Sequence, residues 1–260
     1  MPACLRFEPM TDHIHCGIRD GVNCLRFNRP QKKNALTQEM YSALAAAIVA
    51  GEQSNAVGAH LFLGSSGTFT AGNDLADFAG LDAVPAPDAP VLAFLQALIS
   101  ARKPLVAAVD GLAVGIGTTL LLHCDLVYAS PSASLRTPCV DLGLVPEAAS
   151  SLLLPSRCGH AVAFELLCLG NALSAERALA VGLINEIVPA GQLEDKAMAA
   201  ATILTRKPRQ ALLNSRRLLR GDTDLVRARM REEFTLFAEH LRSDEAQQAI
   251  SAFMNKRPKP

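Results

Sequence analysis

Two glycine-containing segments, each directly after an apolar run, constrain this sequence more than any other feature. The first, FTAGNDL (Phe69 to Leu75), follows GAHLFLGSS, and the second, DGLAVGIGTT (Asp110 to Thr119), follows PLVAAV. A glycine-rich turn between a buried strand and a helix leaves N–H groups unpaired at the helix start, where the dipole favours negative charge. Two such turns side by side would offer two N–H donors to one oxyanion. Taken singly, each is explained more simply as a connection whose glycines permit positive φ.

The runs around these turns predict an α/β protein, because short apolar strands alternate with helical segments. HIHCGIRDGVNCLRFN is typical of a β-hairpin with Asp20 and Gly21 at its turn. Thr37 is the expected N-cap of a helix from Gln38 to about Gly51. Helices are also predicted for DLADFAG, VLAFLQALISARK and TTLLLHC, and the proline-rich LDAVPAPDAP is predicted to be a loop or flap.

The last part of the chain, from about Leu193, has a helical pattern throughout. Its apolar positions recur at helical spacing on a segment rich in Arg and Glu, at Met230, Phe234, Phe237 and Leu241. Ser243 is placed to cap the helix that follows. This region therefore predicts amphipathic helices that present one apolar stripe.

Charge and cysteine content narrow the functional classes. Lys and Arg together number 25, as do Asp and Glu, so nothing in the net charge predicts a nucleic-acid or membrane partner. The 7 cysteines form no C-x-x-C pair, which suits buried thiols in a reducing compartment better than a disulfide framework. With no signal-peptide pattern and no apolar run long enough to cross a membrane, we expect a cytoplasmic protein.

Several catalytic and cofactor motifs are missing from the sequence. It has no G-x-S-x-G elbow and no P-loop, and the glycines at 115 and 117 lack the third member of a dinucleotide fingerprint. His13 and His15 are expected to be a surface pair on a strand, not metal ligands, because no further ligand lies nearby in the sequence. His123 and Cys124 are interpreted as core packing. We therefore expect no metal and no cofactor.

The glycine turns and three further segments together resemble one known superfamily. In chain order these segments are FNRPQKKNALTQEM, FTAGNDLADF, VDGLAVGIGTTLLLHCDLVYAS, LGLVPEAASS and ALAVGLINEIV. They are similar to the crotonase (enoyl-CoA hydratase/isomerase) superfamily, from about Ile14 to about Val188. The strings AGNDL, GIGTTLL and VPEAASS are most similar to the peroxisomal type of Δ3,Δ2-enoyl-CoA isomerase.

The resemblance implies a specific architecture. It predicts a crotonase-like spiral of repeated β-β-α units over residues 1–192, which would bind acyl-CoA, and a C-terminal helical region over residues 193–260 used for oligomerisation. It also implies a homotrimer or a dimer of trimers. Coenzyme A would enter only as part of the thioester substrate.

Glu147 is the residue to which the resemblance assigns the chemistry. From the residues alone, the ordinary interpretation is a first-turn glutamate, after Pro146, that complements the dipole of an apolar helix. In isomerases of the peroxisomal type, a glutamate at this motif position moves a proton along the acyl chain. The resemblance also implies an oxyanion hole formed by the backbone N–H groups of Asn73 and Ile116.

The hydratase pattern of the superfamily is not met. Hydratases hold a water molecule between two glutamates, and the resemblance places Thr119 and Cys139 where those glutamates would lie. Neither can serve as a carboxylate base. A single carboxylate suits a 1,3-proton shift, in which one group removes and returns the same proton.

The remaining substrate-binding expectations also come from the resemblance. They comprise Ala71, Gly72, Asp74, Leu75, Gly115, Thr119, Cys139, Leu144 and Lys33. Asp74 is expected to cap the first turn, and Lys32 or Lys33 either meets a CoA phosphate or lies solvated on the surface. Phe253 and Lys256 are placed near a subunit boundary. Alternatives are a dienoyl-CoA isomerase that pairs Asp141 with Glu147, a weak hydratase, or a non-catalytic acyl-CoA-binding homologue.

Overall fold

A computed structural model describes residues 7–78 and 89–255 and shows the predicted α/β class. Its strands form a seven-stranded sheet and a four-stranded sheet. In spatial order, the larger sheet contains β1 (Glu8–Pro9), β2 (Ile14–Arg19), β3 (Val22–Phe27), β4 (Ala59–Leu63), β6 (Leu105–Val109), β8 (Leu126–Ala129) and β11 (Glu186–Ile187). The smaller sheet contains β10 (Leu173–Ser174), β9 (Ser134–Arg136), β7 (Leu112–Val114) and β5 (Thr68–Thr70).

Helices pack around both sheets and make up most of the chain after residue 190. They are α1 (Gln38–Gln53), α2 (Pro90–Ser100), α3 (Ile116–Thr119), α4 (Ser150–Cys158), α5 (His160–Leu167), α6 (Ala175–Ala180), α7 (Ala190–Thr205), α8 (Arg209–Arg220), α9 (Thr223–Leu241) and α10 (Asp244–Asn255). Short 3-10 helices cover Pro30–Lys32, Leu75–Phe78, Leu120–His123 and Val140–Leu142. No helix in the described ranges is long and apolar enough to cross a membrane.

The predicted hairpin is confirmed, and its turn explains why. β2 and β3 pair antiparallel, and the turn residues Asp20 and Gly21 have φ angles of 50° and 78°. A two-residue turn with both φ angles positive matches the twist of the flanking strands. The chain then continues into a parallel array in which β3, β4, β6 and β8 are neighbours. β4 and β6 are fully buried, as expected for parallel strands covered on both faces.

Two apolar layers hold the larger sheet. On one face, α1 and α2 pack against a core in which the Tyr41 and Phe94 rings are 5.5 Å apart. On the other face, α7 contributes Leu193, Ala197 and Met198 to a second cluster with strand residues of the sheet. The long α9 then lies along α2 and α4. These contacts bring α9 next to the loop that carries Glu147.

Several local predictions are confirmed and others need correction. The side chain of Thr37 caps α1 by accepting from the Met40 N–H, and Ser243 caps α10 by accepting from the Ala246 N–H. The helix predicted for TTLLLHC starts earlier, at Ile116, because Gly115 already ends the turn, and it continues as a 3-10 helix. The segment predicted as DLADFAG is a 3-10 helix in its described part. Most of the proline-rich loop, and Lys256, lie outside the described residues.

Candidate active site

The two glycine turns lie against each other at one edge of the smaller sheet. β5 and β7 pair in parallel, so their carboxyl ends, and the turns that follow them, are neighbours. A Cβ atom on Gly72 would lie 2.7 Å from the carbonyl oxygen of Val114, and one on Gly117 would lie 3.1 Å from that of Thr70. Real Cβ atoms do not approach carbonyl oxygens so closely without displacement. Glycine at both positions is therefore what allows the two backbones to meet.

The backbone N–H of Asn73 has no acceptor among the described residues. A single β-bridge between Leu36 and Asn73 explains why. The Leu36 N–H donates to the Gly72 carbonyl at 2.8 Å, and the Asp74 N–H donates to the Leu36 carbonyl at 2.9 Å. Successive peptide groups of an extended chain point to opposite sides, so the Asn73 N–H faces away from Leu36. Within the described residues it donates no hydrogen bond.

The second turn leaves a matching donor at Ile116. Gly115, with φ 54°, is the N-cap of α3, and its carbonyl accepts from the Thr118 and Thr119 N–H groups at 2.8 and 3.0 Å. Ile116 is the first residue of the helix, where an N–H has no partner within the helix. It also has no acceptor elsewhere in the described ranges. Each turn thus leaves one main-chain donor available.

Glu147 lies beside the second turn and is tied to it by a side chain. The Thr119 hydroxyl donates a hydrogen bond to the Glu147 carboxyl. Glu147 also lines a narrow pocket whose other described lining residues are apolar: Val91, Leu92, Leu95, Ala148, Met230, Phe234 and Phe237. The pocket lies between α2 and α9. A carboxyl group that is hydrogen-bonded to the second glycine turn thus borders an apolar cavity.

The surroundings of Glu147 favour its neutral form. Burial raises the pKa of Glu147 to about 7, the Thr119 hydrogen bond acts in the opposite direction, and the negative charge of Glu233 adds to the rise. An ordinary glutamate has a pKa near 4.3. A carboxyl group with a pKa close to neutrality can accept and return a proton under ordinary conditions.

The sequence-based placement of Glu147 in the first turn of a helix is wrong. Helix α4 begins only at Ser150, after Ala148 and Ala149, whose φ angles of 60° and 57° are left-handed. The dipole explanation for Glu147 therefore weakens, because the effect is confined to the first helical turn. Two residues distant in sequence, His123 and Glu233, hydrogen-bond to the peptide between Ala148 and Ala149.

Comparison with known proteins decides the family. Residues 17–260 match the family model described as enoyl-CoA hydratase/isomerase. The chain belongs to the enoyl-CoA hydratase/isomerase family. It is 36% identical over 245 residues to rat (Rattus norvegicus) enoyl-CoA delta isomerase 2, covering 92% of this chain and 62% of the rat protein. It thus spans less than two thirds of that relative.

The matches to two further proteins cover nearly the whole length of each. The 1,2-epoxyphenylacetyl-CoA isomerase of Escherichia coli is 33% identical, and the match covers 95% of this chain and 97% of that protein. The crystal structure of an enoyl-CoA hydratase/isomerase from Pseudoalteromonas atlantica superposes with a TM-score of 0.89 at 40% identity, covering 95% of this chain and 98% of that one. The predicted crotonase-like fold is confirmed by this similarity.

In this member of the family, Cys139 and Leu144 pack in an apolar cluster with the C-terminal helices. The cluster includes Phe237, Leu241, Ala246 and Ile250. Burial, together with the negative charges of Glu147, Glu233 and Asp141, raises the pKa of the Cys139 thiol well above its usual range. The thiol therefore stays protonated and is not a base, as the sequence predicted.

The residues predicted around the first turn serve mainly to hold its backbone. The Ala71 N–H donates to the Lys33 carbonyl at 2.9 Å, while the Lys33 side chain is exposed. Asp74 accepts from the Ala76 N–H at 3.1 Å, which is the capping role expected for it, and pairs with Arg29 at 2.6 Å. Leu75 begins the 3-10 helix that follows.

The hydrogen bonds of three side chains near Glu147 were not predicted from the sequence. The Tyr41 hydroxyl donates to the side-chain oxygen of Asn73, and Glu233 and His123 contact the residues that follow Glu147. The sequence contained a weak indication for Tyr41, because a phenol on the buried face of a helix needs a hydrogen-bond partner. Nothing in the sequence distinguished Glu233, since it lies on a helix with many charged residues.

Proposed function

We propose that this protein is a Δ3,Δ2-enoyl-CoA isomerase that uses Glu147 as its single acid–base group. The observation that carries the proposal is the hydrogen bond from Thr119 to Glu147, at the border of an apolar pocket. The family resemblance places Thr119 where hydratases have a second glutamate. In this chain the Thr119 hydroxyl donates a hydrogen bond to Glu147, so this position supplies no second base.

The proposed reaction moves one proton along the acyl chain. A 3-enoyl-CoA thioester binds with its carbonyl oxygen at the Asn73 and Ile116 N–H groups. The Glu147 carboxylate removes a proton from C2, and the electron pair forms a dienolate whose negative charge rests on the thioester oxygen. The Glu147 carboxyl then returns the proton to C4, and the remaining double bond joins C2 and C3.

Each part of the site has a physical role in this sequence of steps. The α-proton of a thioester is too weakly acidic for a free carboxylate to remove, so charge stabilisation at the oxygen is essential. One positioned donor of this kind is typically worth about 3–4 kcal/mol in the transition state. The raised pKa of Glu147, about 7, is closer to the pKa of the C2–H group, so the carboxylate is a stronger base toward that proton.

The competing reactions of the family are less well supported by the surrounding groups. Asp141, the carboxylate considered for a dienoyl-CoA isomerase, pairs with Arg136 at 2.9 Å, and its side chain is 48% exposed. A hydratase would need a second base where Thr119 and the protonated Cys139 lie. These contacts argue for a one-carboxylate reaction.

A paired assay tests the proposal. The same preparation is given 3-hexenoyl-CoA and 2-hexenoyl-CoA, and isomerisation and hydration are followed spectrophotometrically. We expect isomerisation of the first and little hydration of the second. A hydration turnover equal to the isomerisation turnover would contradict the one-carboxylate reaction, and no reaction with either thioester would favour a non-catalytic acyl-CoA-binding homologue.

A further inference from the structure

The backbone directly after Glu147 adopts a conformation that its sequence does not favour. Ala148 and Ala149 both have left-handed φ angles, 60° and 57°. A Cβ atom makes this region unfavourable, so such residues persist only where their surroundings fix them. Both alanines are buried, with 1% and 0% of their surface exposed. The loop that carries Glu147 therefore depends on contacts from other elements.

Glu233 of α9 supplies the first of these contacts. Its carboxylate accepts from the Ala149 N–H at 2.6 Å through one oxygen and from the Ser151 N–H at 2.9 Å through the other. Glu233 is only 4% exposed. Since both oxygens are occupied by main-chain donors, the side chain is not placed to exchange a proton with a substrate.

His123 supplies the second contact, at the other end of the same peptide group. Its Nε2 lies 2.9 Å from the Ala148 carbonyl oxygen. Burial lowers the pKa of His123 to about 4, so the neutral ring donates through Nε2–H. The peptide unit between Ala148 and Ala149 is thus held at its carbonyl by His123 and at its N–H by Glu233.

We propose that Glu233 and His123 are positioning residues, which fix the peptide between Ala148 and Ala149 and thereby aim the Glu147 carboxyl at the substrate. The inference rests on the proposed role of Glu147. Neither residue touches the reacting atoms. Rotation of that peptide would displace the backbone of Glu147, and a displacement of about 1 Å at a catalytic group can cost about a hundredfold in rate.

The first test replaces Glu233 with Gln. A neutral amide keeps one acceptor but presents N–H₂ to the second backbone donor, so one of the two hydrogen bonds is lost. We expect kcat to fall about 10- to 100-fold while KM changes little, because substrate binding does not use Glu233. Glu239→Gln is the matched control, since Glu239 is an exposed residue on the same helix. That control should leave kcat and the melting temperature unchanged.

A rescue experiment separates positioning from general stability. Glycine adopts left-handed φ angles without a Cβ penalty, so Ala148→Gly with Ala149→Gly reduces the need for the clamp. Added to Glu233→Gln, the two glycines should restore a large part of the lost kcat. Loss of kcat together with the melting temperature, with no recovery from the glycines, would overturn the proposal in favour of a purely structural role.

His123 offers a second route if Glu233→Gln does not fold. His123→Gln retains an N–H donor for the Ala148 carbonyl and should keep most of kcat. His123→Leu removes the donor and should lower kcat by about as much as Glu233→Gln. Equal rates for the two His123 variants would contradict the proposal.

A titration of the Glu147 carboxyl tests the contact between Glu233 and the Glu147 loop without relying on the proposed reaction. The Glu147 carboxyl is followed by 13C NMR in glutamate-labelled protein, with Glu147→Gln to assign its signal. Among the described residues, the ionisable groups that interact with it are Tyr41 and Cys139, both held neutral, and the Glu233 carboxylate. Glu233→Gln removes that negative charge, so we expect the pKa of Glu147, read from its titration midpoint, to fall below about 7. An unshifted midpoint with unchanged kcat would refute the positioning role, whereas absence of isomerisation with a shifted midpoint would refute only the reaction.

Discussion

The candidate site has a turn side and a glutamate side, and the two are built in different ways. On the turn side, parallel strands β5 and β7 bring the Asn73 and Ile116 N–H groups to one edge, and glycines allow the backbones to touch. On the glutamate side, no sheet fixes the loop at 144–149. Its conformation depends on His123 and Glu233, which lie 25 and 84 residues from their partners in the chain.

This difference indicates how each side responds to substitution. Main-chain donors set by sheet pairing are insensitive to the identity of their own side chain but intolerant of added Cβ atoms at the glycines. The glutamate side should behave in the opposite way. Its backbone would tolerate glycine, whereas changes in remote polar side chains would alter it.

The largest effect is expected on the glutamate side, from Glu147→Gln. The amide keeps the shape of the side chain but cannot accept the C2 proton, so isomerisation should fall at least 10²- to 10⁴-fold, the usual contribution of general acid–base catalysis. Affinity for acyl-CoA should remain within about threefold, because binding does not require the base. Initial rates with 3-hexenoyl-CoA and thioester binding by calorimetry measure the two quantities.

Asp141→Asn is the control for that substitution, since Asp141 is a half-exposed carboxylate on the same stretch of chain. It should retain nearly the full rate. If Glu147→Gln kept most of the isomerase activity, or if Asp141→Asn lost it, the acid–base role would belong to another group.

On the turn side, the positions of the glycine turns could be predicted from sequence, but the short strands β5 and β7 that place them side by side could not. Glycines directly after an apolar run are visible in the sequence, whereas the adjacency of the two turns depends on the parallel pairing of β5 with β7. The hairpin at Asp20 and Gly21 and the Thr37 cap could also be predicted from sequence. In the hairpin and the cap, residues within a few positions of one another fix the backbone, whereas the first glycine turn also needs its distant contacts with Lys33 and Leu36.

The glutamate side could not be predicted in the same way. Pro146 followed by Glu147 is a normal helix start, but α4 begins only at Ser150, after a peptide that receives tertiary hydrogen bonds from His123 and Glu233. His123 was correctly expected to be buried, but nothing adjacent to it in sequence indicates an acceptor at Ala148. The boundary at residues 192 and 193 and the trimeric assembly stay predictions of the family resemblance.

The second largest effect is expected on the turn side, from Ile116→Pro. Ile116 is the first residue of α3, a position whose backbone suits proline and whose N–H has no internal acceptor. The substitution removes one oxyanion donor, so kcat should fall about 10²- to 10³-fold. Circular dichroism and acyl-CoA binding verify that the fold is kept.

Ile116→Ala is the matched control, because it loses the buried side chain but keeps the N–H. It should lower the melting temperature more than it lowers kcat. If the folded proline variant were as active as the alanine variant, the second turn would be a connection and not part of an oxyanion hole.

The smallest effect on rate is expected from Asn73→Ala, which keeps the main-chain N–H. Its side-chain oxygen accepts from the buried Tyr41 hydroxyl, so the substitution leaves that hydroxyl unpaired. An unsatisfied buried hydroxyl costs about 1–3 kcal/mol of stability, whereas kcat should change only a few-fold. Adding Tyr41→Phe removes the unpaired group, and the double variant should recover part of the lost unfolding free energy in urea titrations. A fall in kcat as large as that of Ile116→Pro would show that the Asn73 side chain, and not its N–H, acts in the reaction.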